Sequence, residues 1–101
     1  MKTPTICMLS ALMAMNVSAA TSFGAYDCGQ WFTKNQAAKI WFLGYLSGLA
    51  AADTTAKVDV LDRLNSAEQA FLWMDNYCQN NPLKKANDGA IDLYIELEKR
   101  R

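Results

Sequence analysis

The chain has 101 residues, 51% of them hydrophobic, with ten basic and ten acidic side chains, three cysteines and no histidine. That apolar content excludes a disordered tail, and the length fits a single domain. Balanced charge gives nucleic acid no electrostatic hold, and the absence of histidine removes the commonest general base and metal ligand together with Ser-His and Cys-His nucleophile pairs.

The first twenty residues read as a secretory signal: Lys2 supplies a positive start, an apolar run extends from Ile6 to Val17, and small residues follow at Ser18, Ala19 and Ala20. The run falls short of the ~20 residues that span a bilayer, which argues against a membrane anchor and against membrane insertion once the signal is gone. Cleavage after Ala20 is preferred and Ala19 is the alternative, so residues 21–101 form the mature domain and the periplasm is its expected compartment. Removal of Lys2 leaves nine basic against ten acidic groups, a net charge of −1. Cys7 departs with the signal, and it lies too early and too deep in the apolar run to carry a lipid. The remaining pair, Cys28 and Cys78, is expected to form an intramolecular disulfide, because exported compartments oxidise thiols and a core this small needs reinforcement. A zinc site would need further Cys or His ligands, and the mature chain has none.

From Thr21 to Ala25 the chain is unpatterned, and Asp27 then sits as a helix cap before Cys28, Trp31 and Phe32. A second helix is expected from Gln36 to Ala52, apolar or small on nearly every face and therefore read as the buried centre of the domain. Within it Gly44, Gly48 and Ala52 fall one turn apart on one stripe, where a second backbone could approach closely. Packing inside the domain is the first reading of that stripe, and packing between two copies in a homodimer is the second. Residues 53–65 are polar and mixed, a loop with one short helical turn near its end. Ser66-Ala67-Glu68-Gln69 marks the start of a third helix as a capping box. Its core stripe is Ala67, Ala70, Phe71, Met74, Tyr77 and Cys78, and it stops at Asn80 and Asn81 before Pro82. Pro82 fits the first position of a fourth helix with the stripe Leu83, Ala86, Ala90, Leu93, Tyr94 and Leu97. Alternatively, Asn87-Asp88-Gly89 splits this stretch and the helix begins at Asp88. The architecture expected is thus all-α, a small bundle of about four helices with one disulfide.

No catalytic, cofactor-binding or metal-ligating constellation emerges. The carboxylate pairs Asp59 with Asp62 and Asp92 with Glu96 fall on solvated faces, the glycines never form a phosphate loop, and the terminal Lys99, Arg100 and Arg101 complement a helix end. Three tryptophans remain, more indole than so small a domain can bury. Trp73, between Leu72 and Met74 and on one face with Gln69 and Tyr77, is the candidate partner contact; packing beneath the 53–65 loop is its alternative. These features favour binding to another protein over catalysis.

Three segments together carry a family resemblance: Tyr26-Asp27-Cys28-Gly29-Gln30-Trp31, Gly44-Tyr45-Leu46-Ser47-Gly48-Leu49, and Tyr77-Cys78-x-x-Asn81-Pro82-Leu83. The mature chain resembles the Rap1a/Tai group of periplasmic immunity proteins, which implies a toxin partner, a secreted cell-wall amidase that the protein would bind and block. More loosely, a helical domain with one disulfide between its first and third helices resembles the HdeA-type acid-stress chaperones, which shield unfolded clients at low pH. Sequences of this look also occur in transfer regions of conjugative plasmids, with effects on host viability, and that role stays open beside the other two.

Overall fold

The computed structural model describes residues 22–100. The expected signal with Cys7 and both cleavage positions lies outside the described residues, as does Arg101. Four helices follow one another: α1 (Cys28–Thr33), α2 (Asn35–Ala52), α3 (Ala67–Asn80) and α4 (Ala86–Lys99), with a 3-10 turn over Val60–Arg63 between α2 and α3. The expected all-α fold is present, and among the described residues there is no strand.

Helix α1 begins where the sequence places its cap. The Asp27 carboxylate accepts from Gln30 N at 2.7 Å, and Gln30 Oε1 accepts from Asp27 N at 3.1 Å, so two donors at the helix end are satisfied reciprocally. The start of α3 is only half of the expected box. Ser66 Oγ accepts from Gln69 N at 3.4 Å, but the Gln69 amide reaches back to Asn65 N at 3.2 Å rather than to Ser66.

Trp31, Phe42, Leu46, Met74, Leu93 and Leu97 form the fully buried centre. The Trp31 ring meets Phe42 edge-on with centroids 5.3 Å apart, and its indole N–H donates to Asp75 Oδ1 at 2.7 Å, which satisfies the polar edge of a buried ring. The buried centre is not α2, as its composition suggests. Only Ala38, Phe42 and Leu46 of that helix are buried, whereas α4 buries Ala86, Gly89, Ala90, Ile91, Leu93, Tyr94 and Leu97. Apolar residues ring α2, but neighbours cover one side of it.

The close backbone approach expected at Gly44 and Gly48 occurs elsewhere. A Cβ built on either of those glycines would meet nothing within 4 Å, and both are exposed, as is Ala52. The stripe therefore does not pack within the domain. At Gly89 a Cβ would overlap the Met74 thioether and come within 3.0 Å of Tyr77 Cδ2, so this is where a missing side chain lets α3 and α4 close together.

The disulfide Cys28–Cys78 joins α1 to α3, with Cα atoms 5.0 Å apart. Beside it, Cys28 N donates to Lys84 O at 3.0 Å and Ala86 N donates to Tyr26 O at 2.7 Å, a two-bond bridge that ties the entrances of α1 and α4 together. This bridge sets the start of α4. The backbone around Lys85 is extended to make it, so the helix opens at Ala86, neither at Pro82 nor at Asp88; Pro82 and Leu83 form a turn, and Leu83 is 96% exposed instead of lying on the core stripe. At the other end, Arg63 in the 3-10 turn donates to the carbonyls of Leu97 at 2.6 Å and Glu98 at 3.1 Å, closing α4 with a positive charge on its negative pole.

Candidate functional site at the α3–α4 surface

Trp73 and Tyr77 lie one turn apart on α3, so their rings fall on the same face. The structure stacks them, centroids 5.3 Å apart and planes 14° from parallel. Both are half-buried. The alternative seat for Trp73, beneath the 53–65 loop, is not the one adopted: its indole N–H points to α4 and donates to Glu96 Oε1 at 3.3 Å. Glu96 Oε2 in turn accepts from Nη2 of Arg100, the residue that follows the end of α4, at 2.7 Å.

Between the two helices an open cleft of about 370 Å³ is lined by Trp73, Tyr77, Asp92, Ile95, Glu96 and Lys99. Its electrostatic character shows at Tyr77. Burial first, and then the carboxylates of Asp92 and Asp88, push that hydroxyl up to about 12, because both effects penalise a phenolate. Asp92 is exposed and makes no ion pair among the described residues. The pair Asp92 and Glu96, expected on a solvated face, is thus divided: Asp92 faces solvent at the cleft, and Glu96 is bound to Trp73 and Arg100. The other pair is solvated, with Asp59 accepting from Leu61 N at 3.1 Å to start the 3-10 turn.

A second polar centre lies at the far end of α2, and sequence reasoning did not find it. Asp53 Oδ2 accepts from the Tyr94 hydroxyl at 2.8 Å, while Oδ1 accepts from Thr55 Oγ1 at 2.8 Å, Thr55 N at 3.0 Å and Ala56 N at 3.2 Å. These donors, the Thr55 hydroxyl foremost and Tyr94 next, hold the Asp53 carboxyl below its ordinary range. Burial of Tyr94 first, and then the same contact with Asp53, raise that phenol to about 12.

Trp41 stacks on Tyr45 with centroids 5.1 Å apart and donates to Phe23 O at 3.0 Å, which holds the lead-in segment against α2. The outward face of α2 beyond it carries no charge: Ala37, Ile40, Gly44, Ser47, Gly48 and Ala51 are all exposed, and the single charged side chain of the helix, Lys39, lies with its Nζ 4.8 Å from the Phe71 ring centroid. Among the described residues no His, Cys, Asp or Glu side chains gather as a metal-binding group, and no helix is long and apolar enough to cross a membrane.

No family model matches the chain, and neither a curated protein nor a solved structure matches it.

Proposed function

We propose that the protein is exported to the periplasm and works there by binding another protein, as an immunity-type inhibitor of a secreted cell-wall amidase. The observation that supports this most directly is the stacked Trp73–Tyr77 pair, displayed half-buried on a frame closed by the Cys28–Cys78 disulfide. Aromatic side chains already fixed in place lose little freedom on association, and such residues carry most of the energy of protein interfaces. The resemblance to the Rap1a/Tai group, carried by the segments around Cys28, Gly44 to Leu49 and Cys78, supplies the class of partner. Residues 21–101, oxidised, should protect purified peptidoglycan from a secreted cell-wall amidase at near-equal molar ratio. Trp73→Ala should weaken that protection at least tenfold while the oxidised fold persists. Amidases that keep full activity at saturating protein would overturn the reading.

One observation favours a second reading, an HdeA-like chaperone. The uncharged outward face of α2, with Ile40 64% exposed, offers apolar surface to an unfolded client without any prior opening. Suppression of client aggregation at pH 3, abolished by Ile40→Asp, would support the chaperone; suppression unchanged by Ile40→Asp would remove its basis.

A further inference from the structure

We infer that the cleft between α3 and α4 is a receptor for an arginine side chain of the protein partner, with the guanidinium laid on the Trp73–Tyr77 stack and paired to Asp92. The inference rests on the reading of Trp73 as a partner contact and adds the chemistry that it recognises. Three features of the cleft converge on a planar cation.

The first is the stack itself. Two nearly parallel rings, half-buried and 5.3 Å apart, line an open cleft of about 370 Å³, room enough for one side-chain head group. The negative ring faces attract cations, and a guanidinium stacks on them better than an ammonium because it is flat and weakly hydrated. The second is charge. Asp92 stands at the cleft beside Tyr77 with no ion pair among the described residues, so its carboxylate is a negative charge open to a cation. The third is a contact already made. Arg100 places a guanidinium nitrogen 2.7 Å from Glu96 Oε2, beside the indole that Glu96 Oε1 accepts from. Glu96 is thereby already committed to a guanidinium, which leaves Asp92 to the incoming one. Lys99 also lines the cleft, and its positive charge opposes further cations, so the site takes one arginine and not a basic run.

The test uses the oxidised mature chain and a small probe, N-acetyl-arginine-methylamide. Each of Trp31, Trp41 and Trp73 has its own indole N–H partner, Asp75, Phe23 and Glu96 respectively, so the three indole signals in a ¹H–¹⁵N spectrum are separate reporters. Titration should move the Trp73 indole saturably while the Trp31 and Trp41 signals stay in place. Asp92→Asn should weaken the apparent affinity about tenfold, the loss of one charge-assisted hydrogen bond. N-acetyl-lysine-methylamide should bind more weakly than the arginine probe. No movement at Trp73, equal movement of all three indoles, or equal binding by the Asp92→Asn variant would overturn the site, and a lysine probe that binds as well as arginine would overturn the guanidinium assignment. Loss of amidase inhibition with the arginine response intact removes the immunity reading and leaves this one standing.

Discussion

Gly48 and Gly89 sit inside helices and carry the same entropic cost there, yet they meet opposite surroundings. Around Gly44 and Gly48 there is open space, so alanine gains helix propensity without a clash: Gly44→Ala and Gly48→Ala should each raise stability by about 1 kcal/mol, roughly 4–8 °C in Tm for a domain of this size. Gly89→Ala has the opposite sign. Its methyl would enter the volume of the Met74 thioether, and Met74 is fully buried, so the chain end cannot swing into solvent. Overpacking of this kind costs about 1–3 kcal/mol, enough to outweigh the propensity gain. Thermal melts of the three variants check the signs; stabilisation by all three would refute the assignment of the close approach to Gly89. The sequence shows where glycine is, and spacing makes Gly44 and Gly48 the conspicuous pair. Which glycine touches another helix depends on how helices far apart in the chain are turned, and spacing along one helix holds no information about that.

The connection between α2 and α3 is held to α4 at two points, Arg63 on the last carbonyls of α4 and Asp53 on the Tyr94 hydroxyl. The second contact makes the loop sensitive to acid. Asp53 has a folded-state value below its ordinary 3.8, so its stabilisation is complete above that value and is lost as pH falls through the folded one. Melting temperatures from pH 6 to pH 2.5 should fall more steeply below about pH 4 for the wild type than for Asp53→Asn. Equal slopes would show that the carboxylate contributes nothing specific. Element boundaries illustrate the same division between local and distant causes. Asp27 and Ser66 were legible as helix starts because a cap acts within three residues. The start of α4 was not, because Ala86 begins the helix only after Lys84 and Ala86 have bonded to Cys28 and Tyr26.

At the scale of the molecule, the disulfide joins two residues 50 apart in sequence and closes a span that includes all of α1 and α2 and nearly all of α3. Tying a loop of that length in the unfolded chain is worth about 4 kcal/mol in the chain-entropy account, comparable with the whole stability of a small domain. Cys78→Ser should therefore lower the urea midpoint severely or leave the chain unfolded at 37 °C, with the same result when the wild type is reduced; a reduced protein that melts with the oxidised one would contradict this. The sequence by itself determined the all-α class, the pairing of Cys28 with Cys78 and the cap at Asp27. Each follows from composition, from cysteine arithmetic or from periodicity within a few residues. Only the tertiary structure decided that α4 rather than α2 is the most buried helix, that the small-residue stripe of α2 faces outward, and that Trp73, Tyr77, Asp92 and Glu96 share one cleft. Those outcomes turn on which face of each helix finds a neighbour, and helices carrying apolar residues on several sides can be satisfied in more than one rotation until the disulfide and the Tyr26–Ala86 bridge fix which one the chain adopts.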